Sequence, residues 1–253
     1  MMNKKIIFPI ITLFAILLIW QLLVYFSIIN SLFLPAPLTI AKSLIKNTDY
    51  FLGSIGITIK HILIGYFIGI GLAIPLGLVF GWKKNIELTF SPIFLVISTI
   101  PVVTFLPIFI LWFGLNEIPI YLCSIIAAFF PAFLNTFHGV KKIDKSFIEV
   151  AENFKIKSIN KRIIFPASLP YISNGLRQAI QITFLVTPPA EMIMGDIGLG
   201  GFIWKSADLF KLELVILGMV TLGIIGFSLF KIYDFIEKKY LLKWMNVRKD
   251  AEN

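Results

Sequence analysis

The sequence is short of charge. Charged residues make up 15% of its 253 and hydrophobic ones 58%, against roughly 25% and 45–50% in soluble domains. A chain so apolar cannot bury its surface in a water-soluble core, which leaves a lipid bilayer as its solvent. Cysteine is nearly absent. The single Cys123 lies inside an apolar run, which excludes a disulfide framework or a cysteine metal site within the chain and reads as a small buried side chain. Only two histidines occur, His61 and His138. The topology below puts them on opposite sides of the membrane, which argues against a zinc site or a histidine-based triad. No G-x-x-x-x-G-K-[ST] phosphate loop is present, so any ATP chemistry belongs to another chain. No convergent polar set suggests a catalytic site, a metal site or a membrane-embedded enzyme.

What is abundant is apolar sequence in lengths near the roughly 20 residues that cross hydrocarbon as a helix. Six such segments are predicted, at about 6–29, 55–80, 92–113, 118–137, 178–194 and 214–233. Lys4 and Lys5 before the first give it the look of a secretory signal. It is too long for one and no A-x-A site follows, so it is read as a retained helix. Pro75, Pro101, Pro107 and Pro131 fall within the segments as kinks that membrane helices tolerate. The expected fold is an all-α polytopic bundle of about six transmembrane helices, forming a single domain over 1–253.

The net charge of +9 does not indicate nucleic acid, because the basic residues sit between the apolar segments. With the N-terminus inside, only Lys42, Lys46, Lys60, Lys205 and Lys211 of the 23 lysines and arginines lie outside. The excess of positive charge then predicts both termini in the cytoplasm. The second segment carries Gly65, Gly69, Ala73, Gly77 and Gly81, small residues at every fourth position. Such a stripe lets another helix approach closely, either as plain packing or as a face that slides.

The longest inside loop, about 138–177, carries most information. Ser146 and Glu149 have the spacing of a capping box, which predicts a helix starting just after Ser146. Phe147, Val150, Ala151 and Phe154 then recur at i, i+3, i+4 and i+7, with Glu149, Glu152, Asn153 and Lys155 off that face. Pro166 and Pro170 are expected to interrupt helix before the fifth segment. A short amphipathic helix of this kind either lies on the membrane surface or inserts into a partner's groove, and the pattern itself leaves both open.

Glu149-Val150-Ala151, Ile164-Phe165-Pro166-Ala167-Ser168-Leu169-Pro170 and Gly175-Leu176-Arg177 resemble the E-A-A loop of binding-protein-dependent ABC importer permeases, most closely the nitrate/sulfonate/taurine group, which includes permeases for thiamine-precursor pyrimidines. Leu34-Pro35-Ala36-Pro37, the run Pro107 to Gly114, and Ala190-Glu191-Met192 before Gly198-Leu199-Gly200 also resemble that group. The similarity extends from about Leu34 to Trp244. The chain departs from the pattern at Val150, Phe165 and Lys155, the last replacing a glycine, and the stretch to the proline motif is two residues shorter than usual.

The resemblance implies an importer. Two permease subunits, by default a homodimer, would form the pore, an extracytoplasmic binding protein would deliver a small polar solute, and two cytoplasmic ATPases carrying ATP and Mg would each receive one coupling helix. Ser146, Phe147, Glu149, Val150, Ala151, Glu152, Phe154, Pro166, Pro170 and Gly175 are the implied coupling residues. Pro188 and Pro189 are expected to disturb the fifth helix and free carbonyls. Beside them, Glu191 is either a gate residue or an interfacial carboxylate in water. His61 and Lys60 read as interfacial, and Asp196 and Asp208 as loop charges, solvated or facing a binding protein. An ion-gradient-driven secondary transporter is the main alternative, but it would be expected to carry inverted repeats, and none is found. The substrate is not legible.

Overall fold

The computed structural model describes residues 4–46, 48–154 and 159–241, and no strand occurs among them. The helices are α1 (Lys4–Tyr25), α2 (Pro37–Lys46), α3 (Thr48–Trp82), α4 (Lys84–Ser98), α5 (Leu106–Phe113), α6 (Ile118–Lys141), α7 (Lys145–Asn153), α8 (Phe165–Met194), α9 (Gly198–Asp208) and α10 (Leu212–Ile236). A 3₁₀ turn, Val102–Phe105, leads into α5, and π-helical turns occupy Asn160–Ile164 and Glu237–Leu241. Among the described residues α3, α6 and α10 are each long and apolar enough to cross a bilayer, and α4 with α5 qualifies as a broken fourth span. The chain divides into two compact units, residues 1–57 with 191–223 and residues 58–190 with 224–253.

The larger unit is built on α6. The small stripe of α3 meets a second small stripe, Gly65 against Ser124, Gly69 against Ala128, Gly77 against Thr136 and Gly81 against Val140. A Cβ at Gly69 would stand 2.6 Å from both the Ala128 Cβ and the Ile125 carbonyl oxygen, so only glycine permits this approach. Because partner numbers rise together, α3 and α6 run parallel. On α6's other side the numbers run in opposite senses. The Ser124 and Thr187 hydroxyls are 2.9 Å apart, Asn135 donates to Gln178 at 3.1 Å, and Gly139 abuts Tyr171, so α8 is antiparallel. Phe184 meets Gly226 and Phe230, while Ser173, earlier on α8, meets Tyr233 and Glu237, so α10 is antiparallel to α8 in turn. Tyr66, Ala73, Phe80, Ala128, Ala132, Phe133, Phe137, Ala179, Ile180 and Tyr233 form the apolar core.

Parallel α3 and α6 have a topological consequence. The chain must return to the starting side between them, so α4 and α5 together make one passage. Ion pairs mark both ends of the α3–α6 pair: Lys60 with Glu117 at 2.8 Å, and Lys141 with Glu87 at 2.6 Å. The expected continuous helix over 92–113 is therefore corrected. The helix starts at Lys84 and breaks after Ser98 with a 92° turn. Pro101 supplies the reason, since it lacks an N–H and disfavours helix at Ile100. Pro107 causes no break because it lies in the first turn of α5, where its N–H would have no helical partner.

Two other boundaries differ from expectation. Pro166 and Pro170 do not interrupt the chain before the fifth segment. The helix α8 begins at Phe165, takes Pro166 into its first turn, and runs through Pro170, Pro188 and Pro189 to Met194. The Ser168 hydroxyl donates to the Ile164 carbonyl at 2.8 Å, satisfying backbone near the first prolines. In the smaller unit α1 stops at Tyr25 rather than near Ile29. Ser27 takes a left-handed φ of 56°, and the Ser27 and Ile28 amides bond back to Val24 and Leu23, a Schellman-type ending. Pro37 occupies the first position of α2, tied to α1 by the Leu38 amide and the Gln21 side chain at 3.2 Å. Phe202 of α9 packs edge-on to Phe51 with ring centroids 5.2 Å apart.

Candidate functional site

The loop between α6 and α8 holds α7. Its start is set by Asp144, not by Ser146. The Asp144 carboxylate accepts the Ser146 amide at 3.0 Å, and the Phe147 amide bonds the Asp144 carbonyl at 3.1 Å. Ser146 lies inside the first turn, so the expected capping box is replaced by an aspartate cap two residues upstream. That amide bond to the charged form holds the Asp144 carboxyl below the usual carboxylate range.

Three described side chains of the expected apolar face are left exposed. Phe147 is 56% exposed, Val150 52% and Phe154 78%. Ser146 and Glu149 are exposed as well. Ala151 and Glu152 belong to α7, but their side chains lie outside the described residues, as does Lys155 entirely. Beside α7 is a recess of about 320 Å³ lined by Gly139, Lys142, Ile143, Asp144, Phe147, Ile163, Ala167 and Tyr171. The Lys142 ammonium lies 5.3 Å from the Tyr171 ring centroid, and with the Lys141–Glu87 pair it braces the base of the loop. Gly175 stands apart from this group. It is buried in the α6–α8 contact, where a Cβ would come within 2.8 Å of the Asn135 Cβ, so its small size serves helix approach.

The residues expected near a gate divide between two settings. Pro188 is buried and Pro189 exposed within unbroken α8, so the expected disruption there is corrected. Both lack N–H groups, and the helix carries the loss without a break. Glu191 is not a carboxylate in water, for its exposure is 0%. It accepts the Gly200 amide at 2.9 Å and so satisfies the N-terminus of α9, where unpaired amides and the helix dipole favour an anion. Gly198 has φ 69°, and a Cβ there would collide with the Glu191 carboxylate. The glycine run is thus shaped around Glu191.

Of the remaining polar candidates, Asp208 is exposed at the end of α9, whereas Asp196 and Lys60 have local partners. Asp196 accepts from the Tyr50 hydroxyl at 2.6 Å and from the Lys205 ammonium at 2.9 Å, and these bonds, Tyr50 first, keep its carboxyl below the usual range. His61 is buried within the protein, edge-on to Tyr121 and 3.7 Å from Glu117. Sequence reading missed a further cluster on α8 and α10. Arg177 pairs with Glu237 and, at 2.8 Å, with Asp234. Ser173 donates to Glu237 at 2.5 Å, and Tyr233 donates to the Ser173 carbonyl at 2.6 Å. Asp234 and Glu237 lie three apart on one helix face, a spacing that could have paired them with Arg177.

Residues 65–241 match the family of binding-protein-dependent transport system inner membrane components. The chain is 32% identical to the putative aliphatic sulfonates transport permease protein of Bacillus subtilis over 237 residues, 92% of this chain and 85% of that protein. It is 29% identical to a nitrate import permease protein of Synechocystis, covering 93% of this chain and 89% of that one. It is 24% identical to the taurine transport system permease protein of Escherichia coli, covering 90% and 86%.

Proposed function

The chain belongs to the family of binding-protein-dependent transport system inner membrane components, and from that premise we propose that α7 is the element through which a cytoplasmic ATPase drives it. The chain is a multi-pass, non-catalytic permease subunit of an importer that works with a separate ATPase and a binding protein. On our reading it lies in the inner membrane as a single transmembrane domain with both termini and α7 in the cytoplasm. A small polar solute released by the binding protein crosses between two copies of the chain. ATP and Mg stay on the ATPase. The relatives are named for aliphatic sulfonates, nitrate and taurine; here the delivering protein selects the solute.

One observation carries the coupling role. Phe147, Val150 and Phe154 leave large apolar side chains uncovered on a short helix whose aspartate cap fixes where it starts, at an end of the bundle rich in lysine. This surface suits insertion into a partner's groove. Pairing of two copies is supported by an apolar groove of about 360 Å³ between α3, α8 and α10, lined by Leu63, Phe67, Ile70, Leu176, Ile180, Leu229 and Ile236 among others. The test is uptake in vesicles reconstituted with the ATPase and binding protein. Uptake should require internal ATP and persist when ion gradients are collapsed. Uptake that follows an ion gradient without ATP would favour a secondary transporter.

A further inference from the structure

We propose that Arg177, Asp234 and Glu237 form a latch that fastens the end of α10 to α8 above the coupling loop, so that a displacement of α7 moves both helices together. This rests on the reading of α7 as the coupling element. Arg177 lies about 18 Å of helix beyond the start of α8, taking twelve residues at 1.5 Å each. Its guanidinium holds two carboxylates, Asp234 at 2.8 Å and Glu237. Glu237 opens the π-helical turn that follows α10 and is buried, with Ser173 as its second partner at 2.5 Å. Tyr233 adds a bond to the Ser173 carbonyl and places its ring 5.8 Å from the guanidinium.

The contrast along the same helix pair supports a mechanical role. Further along, α8 meets α10 through Phe184, Gly226 and Phe230. Apolar contacts of that kind have no directional bonds to hold register when a helix shifts. The charged cluster does, because a forked guanidinium and two carboxylates satisfy one another in few geometries. Register between α8 and α10 is therefore fixed at the loop end and free to adjust elsewhere. Arg177, Asp234 and Glu237 are positioning residues and need no contact with solute.

The test uses the complete permease–ATPase complex in vesicles with the binding protein added outside. Glu237→Gln keeps the Ser173 bond and removes the charge. Arg177→Lys keeps the charge and loses the fork. Both should leave the ATPase attached and basal hydrolysis intact, while stimulation of hydrolysis by the binding protein falls about tenfold, within the usual range of coupling between distant sites. Exchanging the charges with Arg177→Glu and Glu237→Arg together should restore much of the stimulation. Unchanged stimulation in the single variants overturns the proposal, and so does failure of the exchange to recover it. Failure of both single variants to assemble would overturn it too, by making the cluster a folding element. The coupling reading is tested separately: Phe154→Ala that retains full ATPase binding contradicts α7 as the docking element whatever the latch variants do.

Discussion

Along α3 the residues at every fourth position from Gly65 to Gly77 are small and buried, whereas Phe147 and Val150 on α7 and Phe154 just after it are large and exposed. Both patterns are helical stripes, and they stand in opposite conditions. The first is satisfied within the chain. Lipid provides no hydrophobic drive between helices, so close backbone approach supplies the attraction, and the glycines of α3 allow it. The second has no cover among the described residues. Phe147, Val150 and Phe154 present an anchor of the kind that dominates protein interfaces. The difference teaches how to separate scaffold from function in this chain: a stripe of small residues closes a contact, and a stripe of large ones at a loop leaves one open.

The largest effect should come from overfilling the closed stripe. Gly69→Leu adds a side chain where a Cβ alone meets Ala128 and the Ile125 carbonyl at 2.6 Å. Overpacking of this kind costs roughly 3 kcal/mol, and the permease should lose its monodisperse peak in detergent. The milder Gly69→Ala should be partly repaired by Ala128→Gly. If Gly69→Leu folds normally, the α3–α6 approach is looser than described.

Next comes the open stripe. Phe154→Ala removes an exposed anchor, and a loss of about 2 kcal/mol weakens ATPase binding roughly thirtyfold. The permease alone should be as stable as before. Loss of fold instead of loss of binding would erase the distinction between the two stripes.

A smaller effect is expected at Glu191, a third kind of surface, polar and closed. Glu191→Ala leaves the Gly200 amide buried without its acceptor, costing roughly 1–2 kcal/mol, read as a lower midpoint in thermal unfolding. Glu191→Gln keeps an acceptor and should retain most stability and uptake. Loss of uptake in a stable Glu191→Gln protein would return this residue to the gate.

Much of this was legible in the sequence, and the limits have physical causes. Apolar length located α3, α6 and α10, small residues four apart located the α3 stripe, and recurrence at i, i+3 and i+7 located the large side chains of the α7 face. What periodicity could not give is the partner. The spacing of Gly65 to Gly81 does not reveal that Ser124 to Val140 answers it in parallel register. Prolines misled in both directions: Pro101 marks a 92° break, while Pro170, Pro188 and Pro189 are carried inside one helix. The outcome depends on whether neighbours can cover the freed backbone, which is a tertiary property. The same holds for Glu191, whose role depends on Gly200 turning its amide inward, and for Arg177, whose carboxylates lie on a helix distant in sequence.

The smallest expected effect sharpens the comparison at α7's own start. Asp144→Asn keeps an acceptor for the Ser146 amide but removes the charge, and should slightly reduce helicity of a loop peptide or its protection from amide exchange. The sign in pH follows from the depressed carboxyl. Its contribution to α7 is present above the ordinary aspartate range and lost as pH falls through its lowered folded value. Wild-type α7 should therefore fray in acid, and the Asn variant should show no such dependence.

The central claim is that the ATPase covers the α7 face, which none of the described residues covers. Its most direct test is a single cysteine at Val150 in a Cys123→Ser background, exposed to a membrane-impermeant thiol reagent in inside-out vesicles. The expected result is rapid labelling of the permease alone and strong protection once the ATPase is bound. Equal labelling with and without bound ATPase, or no labelling of the permease alone, would contradict it.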